Sequence, residues 1–230
     1  MDAANAFLLL QINDALFPIG GYSHSYGLET YIQKDLVADA AQARDYIEHK
    51  LDAGFLTGDF LAMRLAWEAA DARDTQKMAR LDAVITASKA PAELRSASLK
   101  LGSRFIKTVN RLPIPWQSSF FVAYCDGPKG YPYHHAGVYG AFCASVGIGL
   151  EEALTHFLYA QTSAMVTACV KSIPLSQTDG QKILYGLAPR MKAMVAEVQT
   201  LTAEDLFTSA PGFDIRSMEH EALYSRIYMS

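Results

Sequence analysis

The chain has little of what would announce a chemistry. It holds three cysteines, Cys125, Cys143 and Cys169, and no CxxC. Three thiols cannot all pair with one another, and these sit in apolar surroundings. A disulfide scaffold is excluded, and a reducing cytoplasm is the expected setting. No GxxxxGK[ST] loop occurs; the nearest candidate, Gly127-Pro128-Lys129-Gly130, lacks its length and ending. Basic charge is outnumbered, with Lys and Arg at 20 against Asp and Glu at 24, so no nucleic-acid footprint is expected. Long apolar runs are missing too. The longest stretches free of Asp, Glu, Lys, Arg and His, 136–150 and 157–170, are too short to cross a bilayer, which argues against a membrane role. The opening Met1-Asp2-Ala3-Ala4-Asn5 has no positive side chain to make a secretory signal of the apolar residues that follow.

What the chain does have is helical periodicity, with no clear alternating strand run. Half its residues are apolar and 19% charged, the balance of a folded protein rather than a disordered one. A first helix is expected over 7–16. Asp39 precedes Tyr46, Ile47, Leu51 and Phe55 at helical spacing, and a new turn is expected near Thr57. Further helices are expected over 74–88, from Pro91 to about Val109, and over 116–125. Two later helices look central. Residues 134–147 present Gly137, Gly140 and Ala144 as a small face for close approach, within the subunit or across to another. Residues from Leu150 to Pro174 are apolar over most of the circumference and are expected to be buried nearly all round. Ser176 caps another helix that Pro189 interrupts. The class is all-α, one globular bundle of about ten helices at the usual helix length.

Two segments stand out. Residues 17–29 read Phe-Pro-Ile-Gly-Gly-Tyr-Ser-His-Ser-Tyr-Gly-Leu-Glu. Pro18 must end any preceding helix, Gly20 and Gly21 permit unusual backbone, and hydroxyls, a histidine and tyrosines crowd the turn. The second is the tail, 213–230. Leu223, Tyr224, Ile227 and Tyr228 fall at helical spacing, with Arg216, Glu219 and His220 on the same side. Such a stripe docks on its own core or on a partner.

Catalytic and metal motifs fall short. Gly21-Tyr-Ser-His-Ser25 lacks the closing glycine of a nucleophile elbow. His220-Glu-Ala-Leu-Tyr224 has tyrosine where HExxH needs its second ligand. His134 and His135, nine residues after Cys125, are the metal candidates, but adjacent helical positions diverge by about 100° and cannot both chelate one ion. A helical enzyme using His24 and Glu29 as acid and base is the alternative function. A perturbed His24 in a closed pocket favours it; an exposed apolar patch beside the tail favours a scaffold.

The two ends together resemble the UreF family of urease accessory proteins. The residues that carry the likeness are 10–14, Phe-Pro-Ile-Gly-x-Tyr-x-His-Ser-x-Gly-Leu-Glu at 17–29, Glu93-Leu-Arg95, 101–105, His135 through Ile148, 170–181, and Ser-Met-Glu-His-Glu-x-x-Tyr-Ser-Arg at 217–226. They span nearly the whole chain in order. The final Arg-Ile-Tyr-Met-Ser departs from the Phe and second Arg of many relatives. The resemblance implies a cytoplasmic, all-helical homodimer with no catalysis of its own. It implies binding to UreD (UreH in some organisms), recruitment of the GTPase UreG, and delivery of nickel to apo-urease. No resident cofactor is implied; nickel is cargo in transit. The partner-binding residues expected on this basis are Tyr22, His24, Glu29, Lys171, Asp179, Glu219, His220, Tyr224 and Arg226, with Gln181 beside Asp179 and Arg226 laid near Tyr22.

Overall fold

The computed structural model describes residues 3–208 and 210–230, and of Tyr22 the backbone alone. The fold is all-α, and among the described residues there is no strand. In chain order the α-helices are α1 (Ala3–Ile12), α2 (Leu28–Gln33), α3 (Ala40–Lys50), α4 (Leu61–Asp71), α5 (Thr75–Ser88), α6 (Ala92–Val109), α7 (Phe120–Cys125), α8 (His135–Ser145), α9 (Leu150–Ser172), α10 (Gln177–Gly186), α11 (Ala188–Val198) and α12 (Pro211–Glu219). Side-chain caps fix several starts. Asp39 accepts from the Gln42 amide at 2.9 Å, Asp74 from Lys77 at 2.9 Å, and Ser176 from Asp179 at 3.0 Å. Each cap is worth ~1 kcal/mol.

Besides the later start of α7, at Phe120 rather than 116, the structure departs from the sequence reading at four places. First, α1 stops at Ile12 rather than Leu16. Asn13 turns its amide back to the Leu9 carbonyl and across to the Tyr139 hydroxyl, both at 2.8 Å, and so closes the helix early. Second, the turn expected at Thr57 is a π-helix, Leu51–Phe60, running straight into α4. Its one non-helical residue is Gly58 (φ −91°, ψ −113°), where the Phe207 ring packs and the Phe207 amide bonds to the Thr57 carbonyl at 2.8 Å.

Third, the helix buried nearly all round is α8, not α9. Every α8 residue but Ala144 is buried. A Cβ on Gly140 would strike the Met63 carbonyl, so α8 and α4 meet backbone to backbone, and Gly137 faces Asp82 and Met78 of α5. The small face is used within the chain. On α9, Glu151, Thr155, Tyr159, Thr167 and Lys171 form an exposed row. Fourth, residues 223–230 are not helical; the stripe spacing there has no helix behind it. Their backbone donors go elsewhere, as described below.

The centre is aromatic. Phe142 meets Phe105 at 5.2 Å and Phe121 at 5.4 Å between centroids, both edge-on, and Tyr139 meets Phe157 at 4.8 Å. Such pairs add about 0.5–1.5 kcal/mol each beyond their burial. One apolar core runs from Leu9 to Tyr228, so the last turn of sequence is anchored in the same core as the first helix.

Candidate functional site

The turn over 17–29 is built from left-handed backbone. Gly20 (φ 82°), Tyr26 (φ 54°) and Gly27 (φ 84°) all have positive φ. For Tyr26 this is strained, and the Lys50 ammonium holds its carbonyl at 2.8 Å. At Gly27 a Cβ would collide with Ser217, so glycine is what lets α12 lie on α2. Within the turn, neighbouring amides converge on one point. Ser25 and Tyr26 donate from their backbone to the Ser230 oxygen at 2.6 and 3.0 Å, and the Ser25 hydroxyl donates to the same atom at 2.9 Å. His24 Nδ1 meets the Ser230 hydroxyl at 2.8 Å, and the Met229 amide donates to the Ser23 carbonyl at 2.8 Å.

Glu29 completes the clasp. It opens α2, is 5% exposed, and accepts from the Ile227 amide at 2.7 Å and the Tyr228 amide at 2.9 Å. Its Oε2 also faces His220 Nε2 at 3.0 Å. His220 is fully buried, and its Nδ1 faces Glu93 Oε2 on α6 at 2.6 Å. Glu93 Oε1 takes the Arg226 guanidinium at 2.7 Å. Each ring nitrogen of His220 thus has one carboxylate oxygen within hydrogen-bond reach. The network ties α2, α6, the end of α12 and the tail into one unit. Thr30 Oγ1 to the Arg216 carbonyl (2.8 Å) and Gln33 to the Ser225 carbonyl (2.7 Å) reinforce it.

The predicted residues therefore divide. His24, Glu29, His220 and Arg226 come together, but the first three are buried and shape the tail from beneath. Tyr224 is fully exposed beside them, with Ile227 at 74% and Met229 at 56%. Glu219 lies on the surface of α12, bonded to Arg216 at 2.7 Å and near Lys34 at 3.4 Å; the Arg216 hydrogen bond first of all holds its carboxyl below the usual range. Lys171, in the last turn of α9, shares a cavity of about 320 Å³ with His24, Asn13 and Tyr228, so it borders the clasp. Asp179 does not join: it bonds Ser176 and Lys182 of its own helix start. Gln181 is exposed on α10. The Tyr22 side chain lies outside the described residues, and Arg226 pairs with Glu93. Glu93 is the residue that sequence reasoning passed over. It stands there among the residues that carry the family likeness, without a site role, and no local pattern places it opposite residue 220.

The metal candidates are otherwise engaged. His134 has Ser98 Oγ at 3.1 Å and Thr86 Oγ1 at 3.0 Å, one hydroxyl for each ring nitrogen. His135 is enclosed by the rings of Phe105, Tyr139 and Phe157. Burial lowers both to about 4, which holds them neutral. Among the described residues no group of three His, Cys, Asp or Glu could hold a metal ion. As for acid–base chemistry, burial lowers the His24 pKa, aided by Lys100 and Arg104. Yet the bonds of His24 and Glu29 run to the tail and not to each other. Among the described residues no helix is long and apolar enough to cross a membrane.

A family model described as UreF matches residues 37–188. The urease accessory protein UreF of Bacillus sp. (strain TB-90) is 34% identical over 224 residues, which cover 96% of this chain and 97% of that protein.

Proposed function

We propose, from the premise that this chain belongs to the UreF family of urease accessory proteins, that it is a cytoplasmic scaffold for nickel insertion into apo-urease. As an accessory protein it is not an enzyme. In this reading it works as a homodimer, joins UreD, and presents a composite surface to which the GTPase UreG is recruited. Nickel is the cargo and not a resident cofactor.

The single observation that supports the reading best is the clasp. Glu29, Glu93 and His220 have carboxylate and imidazole groups in a buried network, and their hydrogen bonds run to one another and to the tail. What the network does is hold an extended tail so that Tyr224, Ile227 and Met229 point outward. Exposed aromatic and aliphatic groups on a rigid base are what a partner protein recognises. Lys171, free of any described ion pair and bordering the same cavity, adds charge to that surface.

The test is genetic and chemical. With the gene deleted and nickel supply limiting, purified urease should be folded but deficient in nickel. A normal nickel content would contradict the proposal.

A further inference from the structure

Asp82 is a buried carboxyl that the tail site does not use. It sits on α5, 1% exposed. Its Oδ2 accepts from the Tyr124 hydroxyl of α7 and the Tyr131 hydroxyl of the α7–α8 connection, both at 3.0 Å. Its Oδ1 has no hydrogen-bond partner and faces Gly137 of α8, where a Cβ would come within 3.1 Å of it. The titratable groups that face it are Tyr124, Tyr131 and, more remotely, Tyr133; no lysine, arginine or histidine is among the influences upon its charge. Thr86 bonds the Asp82 backbone carbonyl and leads on to His134, which is held neutral.

The connection over 126–133 is built around this point. The Tyr133 hydroxyl donates to the Tyr124 carbonyl and accepts from the Gly127 amide, both at 3.1 Å. The rings of Tyr131 and Tyr133 lie 4.8 Å apart, and both meet Tyr124 edge-on. Tyr131 is thus the tether from the connection to α5, and its only described side-chain hydrogen bond is to Asp82.

A carboxylate offers about four lone-pair positions. Here two hydroxyls reach one oxygen, the other has none, and no cation is at hand. Two neutral donors do not offset the burial of a full charge. We propose that Asp82 and its tyrosines form a proton-dependent latch that holds the 126–133 connection against the bundle more firmly when the carboxyl is protonated. Consistent with that geometry, burial raises the carboxyl to about 7, against the opposing effect of the two tyrosine bonds. When the connection opens, water reaches the carboxyl and its ordinary acidity of 3.8 returns. The closed state then binds the proton more tightly than the open one. Its advantage is complete at low pH and is lost as pH rises towards 7, with opening increasing about tenfold per unit across that span and levelling above it.

Amide hydrogen exchange over 126–133, corrected for intrinsic rates, tests this in the full chain between pH 5 and 8.5. The opening constant should rise at least tenfold from pH 5 to 7, then flatten. In Asp82→Asn it should be flat throughout. Should that variant fail to fold, the unaltered chain decides alone: the Asp82 carboxyl carbon should titrate near neutrality by NMR, across the same pH span in which the opening constant rises. An Asp82 carboxyl that titrates below pH 5 in the unaltered chain would overturn the proposal. So would an opening constant that does not change between pH 5 and 7.

Discussion

Both oxygens of Glu29 face backbone amides near the end of the sequence, and this governs how substitutions there should behave. Hydrogen bonds to a charged group contribute about 1.5–3 kcal/mol each, so Glu29→Ala should lower exchange protection of the Ile227 and Tyr228 amides by about tenfold to a hundredfold. The core melting temperature should change far less, because the aromatic centre does not depend on this carboxylate. Equal protection in variant and parent would mean that the tail is held by its other contacts. Lys171 and Asp179 make a second pair of cases. Lys171 borders the clasp, and Lys171→Ala should weaken capture of UreG in a pull-down without altering the melting temperature. Asp179 serves its own helix start, and Asp179→Ala should leave capture intact and slightly lower the midpoint of urea unfolding. The opposite pattern would move the partner surface from α9 to α10.

At the scale of elements, α8 is the most constrained part of the fold. Gly140→Val would press a branched side chain into the Met63 carbonyl of α4. Overpacking of this kind costs typically 1–3 kcal/mol, and the backbone here cannot rotate away, so a loss at or above that range is expected in denaturant unfolding. A loss below 0.5 kcal/mol would show that α4 and α8 can separate. The same helix shows what the sequence could reveal. Most helices, the caps at Asp39 and Ser176, and the breaks at Pro174 and Pro189 are legible because they depend on neighbours along the chain. That α8 rather than α9 is enclosed was not. Apolar content looks alike in both, and only the arrangement of α4, α5 and α6 around α8 decides which is covered. The tail was misread for a related reason. Leu223, Tyr224, Ile227 and Tyr228 have helical spacing, but Glu29, almost two hundred positions away in sequence, takes two of the amides a helix would need. Glu93 was illegible as a site residue because its partners, His220 and Arg226, lie on segments that no local signal connects to α6.

For the whole molecule, the first and last parts of the sequence form one surface on a helical core. Ser23, Ser25 and Tyr26 bind the backbone of 229–230, Glu29 binds that of 227–228, and Glu93 binds Arg226. A partner that touches Tyr224 and Ile227 therefore reads the state of the turn as well as the tail. Central to this account is that the tail recruits partners because the clasp orders it. The most direct measurement is a double-mutant cycle on the affinity for the purified UreD partner, with Arg226→Ala, Glu93→Ala and the pair, each checked for an unchanged core melting temperature. Arg226 and Glu93 acting as one contact predicts that either substitution weakens binding and that the double variant is little worse than the weaker single one, a coupling of about 0.5–3 kcal/mol. Strictly additive losses, or full affinity in the Glu93→Ala chain, would contradict the account.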